Sequence, residues 1–177
     1  MGLDTVEIVM RCEETFGISI SDADAARIGT PRQLAEYVAD RVDALPDSRC
    51  LSRDTYRALR DGFSSQLPAL TSNFNLNTPL KQIVHRDQWE RVWSAIRGAT
   101  ESADWPATVT WNGLFSAGPR TFRDLVWVVA CSQARAAGSR PWTRQTVYLR
   151  VREIIQDESG LDAGFNARKS FPQLGIE

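Results

Sequence analysis

The stretch Met1–Gly17, MGLDTVEIVMRCEETFG, constrains the fold more than any other part of this chain. Val6, Met10, Cys12 and Phe16 recur at helical spacing, and Leu3, Ile8 and Val9 widen the apolar face, so the segment reads as an amphipathic helix. Asp4 and Glu7 lie near its start, where carboxylates complement the positive end of the helix dipole. Phe16-Gly17 closes it with a glycine that can take the left-handed conformation of a helix stop. A helix this short is marginal alone in water and needs a partner for its apolar face. The question the rest of the chain must answer is what that partner is.

Downstream, Ile18 to Asp22 is a short loop and Asp22–Ile28 a helical turn or two. Thr30 and Pro31 then provide an N-cap and a first helical residue, and Leu34, Tyr37, Val38, Ala39 and Val42 share one face of the helix that follows. Residues 45–49 read as a linker. From Ser52, taken as a cap, a helix runs to about Leu67 with Tyr56, Leu59, Phe63 and Leu67 on one stripe, stopped by Pro68. A polar loop leads to a helix bearing Trp89, Val92, Trp93 and Ile96, expected to end at Gly98. Thr108–Trp111 reads as strand-like, and Thr121 caps another helix through Val129. Residues 133–141 form a second linker. Thr143 then caps a helix with the stripe Val147, Val151, Ile154 and Ile155, ending at Ser159-Gly160.

Residues 2–43 resemble helices II to IV of the acyl carrier proteins, on the register Leu3-Asp4-Thr5-Val6-Glu7-Ile8-Val9, the Phe16-Gly17 end, a short acidic third helix and the threonine-capped fourth. Residues 142–177 resemble that family's helix I and the loop after it, ending in Phe171-Pro172-Gln173-Leu174-Gly175-Ile176-Glu177. Joined, the two ends spell one carrier domain in permuted order. The expected fold is all-α, with two acyl-carrier-like four-helix bundles: residues 1–44 plus 142–177, and an inserted, degenerate second one over 50–132. The termini would pair within one chain, giving a monomer, or between chains as a domain-swapped dimer.

In the family an Asp-Ser-Leu motif carries phosphopantetheine on its serine. Here the serine position holds Gly2, and the corresponding position of the second domain holds Gln88. Neither side chain can serve as the attachment nucleophile, so the resemblance implies a carrier scaffold without its prosthetic group and no cofactor. It also implies a partner face, since acidic residues of helices II and III steer basic enzymes in that family. The matching residues are Asp4, Glu7, Glu13, Glu14, Asp22 and Asp24. The expected function is a non-catalytic protein-interaction module of an acyl-transfer, fatty-acid or polyketide-related pathway. The alternative is a functional carrier with an unrecognised phosphopantetheine site.

Charge and composition narrow the other classes. Residues 1–44 hold nine acids against four bases and residues 45–141 eight against twelve, while residues 142–177 balance. The bases are dispersed and carry no nucleic-acid-binding motif, so no nucleic acid is expected. Six tryptophans, several in the middle segment, are read mainly as core, with an aromatic contact patch as the alternative. Three widely spaced cysteines make neither a disulfide framework nor a zinc site, and no metal is expected. The sole histidine, His85, lies near Asp87 without a nucleophile beside it, so no catalysis is expected. No apolar run reaches the length of a membrane span, and the composition fits a reduced, cytoplasmic protein.

Overall fold

A computed structural model describes residues 3–67, 74–100, 103–111, 118–136, 141–162 and 164–177. Gly2, Pro68 and residues 137–140 of the second linker lie outside these residues. The described residues are all-helical: α1 (Leu3–Phe16), α2 (Asp22–Ala25), α3 (Pro31–Arg41), α4 (Leu51–Gln66), α5 (Leu80–Ile83), α6 (Trp89–Thr100), α7 (Phe122–Ala136) and α8 (Arg144–Ser159). Two isolated β-bridges, Leu45 with Thr143 and Pro79 with Thr121, are their only extended pairings. The chain divides into two compact units, one of Met1–Ser48 with Ala134–Glu177 and the other of Arg49–Gln133.

In the first unit the helix ends follow the sequence closely. The Thr30 hydroxyl accepts the Gln33 N–H, and Thr143 forms a reciprocal capping pair with Thr146. Gly17 and Gly160 stop α1 and α8 with φ of +64° and +68°. Helix α8 packs on α3 and on α1, and a single core runs through both chain segments. Ile8, Cys12, Phe16, Leu34 and Val38 come from one segment, and Val147, Val151, Ile154, Ile155 and Ile176 from the other. The segments are also tied by their backbones. Leu45 N–H donates to Trp142 O at 2.8 Å, and Arg144 N–H to Leu45 O at 3.0 Å. At the far end Thr5 donates twice to Glu177 O, from its N–H at 3.2 Å and its hydroxyl at 3.1 Å.

One part of the α1 reading is corrected. Its buried edge is Thr5, Ile8, Cys12 and Phe16, whereas Val6 and Met10 are 37% and 53% exposed. Positions 6 and 8 lie about 200° apart around a helix, so the two apolar series cannot face one core.

Burial pushes the Cys12 thiol up to about 12, the nearby Arg150 charge only partly opposing it. Cys12 therefore stays a neutral thiol. Iodoacetamide at pH 8 should label the exposed Cys50 in the native protein and reach Cys12 only after denaturation. Native labelling of Cys12, located by peptide mass, would contradict this packing.

The second unit is built around aromatic rings. Phe63 on α4, fully buried, lies 6.5 Å from Phe74, 6.4 Å from Trp89 and 6.1 Å from Phe122. Trp89, Trp93 and Trp105 continue as a stacked row, so these tryptophans are core and not a contact patch. The Trp89 and Trp93 indoles donate to Val109 O and Pro106 O. Those bonds explain a second correction: Thr108–Trp111, strand-like in composition, is irregular chain, its position fixed by tryptophan side chains.

Three helix limits also differ, the first being that α7 runs past Val129 to Ala136 and so into the span expected as the second linker. Helix α4 begins at Leu51, with Cys50 as the flanking residue, so Ser52 lies inside the first turn. Helix α6 continues through Gly98 to Thr100, because that glycine keeps helical geometry at an exposed site. Thr121 does cap α7: its hydroxyl accepts the Asp124 N–H, and the Asp124 carboxylate accepts the Thr121 N–H.

Gly62 lies against Ile96 where α4 packs on α6. A Cβ at this position would sit 2.7 Å from Cγ2 of Ile96, a fully buried and β-branched residue with little freedom to move. Gly62→Ala should therefore destabilise the unit by about 1 kcal/mol net, the overpacking cost exceeding the gain in helix propensity. A denaturation midpoint unchanged or raised would contradict this contact.

Candidate functional site

The expected partner-binding acids divide into two groups. Glu7, Glu14 and Asp22 are exposed and Asp4 is half-buried, with α1 carrying three of the four. Glu13 and Asp24 instead serve the fold. Oε1 of Glu13 accepts the Ile20 N–H at 2.6 Å and so pins the loop after α1. Oδ2 of Asp24 accepts from the Ser21 hydroxyl at 2.9 Å, the Tyr37 hydroxyl at 3.0 Å and Arg41 at 3.3 Å. The Ser21 and Tyr37 hydrogen bonds hold its carboxyl below the usual carboxylate range, despite some desolvation. The α2–α3 tie through Asp24 is thus intact at neutral pH and weakens as pH falls through that lowered pKa.

Periodicity assigns Val6 and Met10 to the core, and the fold places them outside it. They form an exposed apolar pair on the helix that carries Glu7 and Glu14. The signal available in the sequence was the second i, i+4 series on α1, out of phase with Ile8, Cys12 and Phe16.

At the head of α1, Thr5 meets Glu177, the end of the C-terminal segment. Thr5, Ala25, Ile28, Phe171, Ile176 and Glu177 line a largely apolar cavity of about 490 Å³ beside it. Gly175, with φ of +79°, makes the turn that leads Ile176 into the core and Glu177 to Thr5.

In the second unit Gln88 is exposed, at the end of a short 3-10 turn (Arg86–Gln88) that leads into α6. His85 and Asp87, 3.2 Å apart, are both largely exposed. Among the described residues no group of His, Cys, Asp and Glu side chains could hold a metal ion. Among them, too, no helix is long and apolar enough to cross a membrane.

Residues 3–38, the span from the start of α1 into α3, match the family model for the phosphopantetheine attachment site. An acyl carrier protein of Cyanidium caldarium is 46% identical over 41 residues, 23% of this chain and 48% of the relative. Acyl carrier protein 4, chloroplastic, of Arabidopsis thaliana is 48% identical over 44 residues, 25% of this chain and 32% of the relative. The chain thus spans about half, or less, of the length of the curated relatives it matches. No solved structure matches. Residues 3–38 are acyl-carrier-like in sequence and helical in structure.

Proposed function

We propose that the unit of residues 1–48 and 134–177 is an acyl-carrier-type bundle in permuted order that docks proteins and bears no prosthetic arm. The observation that carries this reading is the outer face of α1. It offers two exposed apolar side chains, Val6 and Met10, beside the exposed carboxylates of Glu7 and Glu14. An apolar centre with a charged rim suits a partner surface, and the acid rim selects a basic one. The Thr5–Glu177 bonds support the permuted order, since they bring Leu174–Glu177 to the head of α1, where a carrier's loop enters helix II. In that register Gly2 stands for the modified serine, and it has no nucleophilic side chain. By the same register Gln88 marks a silent position in the second unit, read as a degenerate carrier-like domain.

The partner is a protein with a basic surface from an acyl-transfer, fatty-acid or polyketide-related pathway. Affinity capture from extract of the source cell, with wild type beside E7K/E14K, tests the face. Proteins held by wild type should be lost from the variant, whose far-UV spectrum and melting should stay the same. Recovery of the same proteins by both would overturn the acidic-face reading.

One observation favours a second reading, an arm-bearing carrier. The apolar cavity at the head of α1 is large enough for a small acyl group.

A further inference from the structure

A second cavity in the first unit, of about 470 Å³, opens between α3, α8 and the chain at Phe165–Arg168. Four arginines line it (Arg32, Arg144, Arg152 and Arg168) against a single carboxylate, Glu36. Its volume falls in the range of small-molecule sites. Two of the arginines are held at the rim by ion pairs, Arg32 with Glu36 at 2.7 Å and Arg144 with Asp40 at 2.7 Å. Arg168 is exposed and makes no ion pair among the described residues.

Arg152 sets this cavity apart from a solvated basic surface. It is 9% exposed and sits within the buried stretch Val151–Ile155 of α8, beside Glu153, whose carboxylate is already paired with Arg135 and Arg150. Its guanidinium donates to the Tyr148 hydroxyl at 3.0 Å and to Phe165 O at 2.9 Å, and lies 4.1 Å from the centre of the Phe165 ring. A cation so deeply placed costs desolvation energy, and a position fixed by two hydrogen bonds and a ring pre-orders its charge for an anion. The wall facing it is also fixed: Arg32 N–H, an otherwise unpaired donor of the first turn of α3, donates to Ala167 O at 3.0 Å. Ala35 and Ala39 leave room on the α3 side for a small organic body.

We infer that this cavity binds a small phosphate-bearing molecule, with Arg152 as its buried charge and Arg168 as the group that closes on the phosphate. Guanidinium forks match phosphate oxygens, and a dianion answers an excess of cations better than a single carboxylate does. The inference does not depend on the docking face of α1 or on the absence of an arm.

Amide and arginine side-chain NMR shifts of the full chain, titrated with inorganic phosphate, phenyl phosphate and malonate at constant ionic strength, test it. Both phosphates should move the signals of residues 144–152 and 165–168 saturably, and malonate should bind more weakly. Tighter binding of phenyl phosphate would identify an ester, and equal binding the free ion, as the form recognised; either supports the phosphate assignment. R168E should weaken phosphate binding about tenfold, since a charge-assisted contact is lost, with R168K restoring part of it. The folded spectrum of R168E serves as the check that its fold is retained. Unsaturable shifts spread over Arg60, Arg86 and Arg120 as well, malonate binding as tightly as phosphate, or R168E binding like wild type would overturn the assignment.

Discussion

Ile155→Ala is expected to destabilise the first unit by about 2–5 kcal/mol, and the loss should reach helices distant in sequence. Ile155 is fully buried on α8, in the core shared with Ile8 and Cys12 of α1 and Leu34 and Val38 of α3. Removing its side chain deletes apolar contact and leaves a cavity that close-packed neighbours fill only in part. Because the core is common to both chain segments, hydrogen exchange should quicken in peptides from α1 and α3 as well as α8. Faster exchange confined to α8 would mean that the two segments do not fold as one body.

Phe63→Ala should be the most damaging single truncation in the second unit, at about 3–5 kcal/mol. Phe63 touches rings from three separate parts of the chain, Phe74, Trp89 and Phe122. Its removal costs buried area and, besides, several edge-on and stacked ring contacts. Five of the six tryptophans belong to this unit, so the fluorescence-detected urea midpoint is a direct readout. Phe63→Leu, which keeps most of the apolar volume, should recover more than half of the loss. Equal midpoints for Phe63→Ala and wild type would contradict an aromatic centre there.

Much of this architecture is legible in the sequence, for local reasons. Thr30, Thr121 and Thr143 cap helices because their hydroxyls reach a backbone N–H three residues on, a relation fixed by spacing alone. Gly17 and Gly160 stop helices for an equally local reason. The stripe of α8 is plain because Val147, Val151, Ile154 and Ile155 form one series. On α1 two apolar series compete, and only the packing of α8 decides that Ile8 faces inward and Met10 outward.

The site is less legible, because identical residue types separate by contact. Glu13 and Glu14 are neighbours, yet one bonds to Ile20 N–H and the other is exposed. Asp22 and Asp24 part in the same way. The arginine cavity draws on positions from Arg32 to Arg168, and no spacing rule connects them. Its local sign is Arg152, which with Glu153 interrupts the apolar series Val147, Val151, Ile154 and Ile155.

If the first unit is a carrier-type scaffold without an arm, no serine of the chain accepts phosphopantetheine. Incubating the full chain with coenzyme A and a phosphopantetheinyl transferase, beside an acyl carrier protein as positive control, tests it most directly by intact mass. The control should gain phosphopantetheine while this chain keeps its mass. A phosphopantetheine adduct on this chain, mapped to any serine, would contradict the claim and favour the arm-bearing reading.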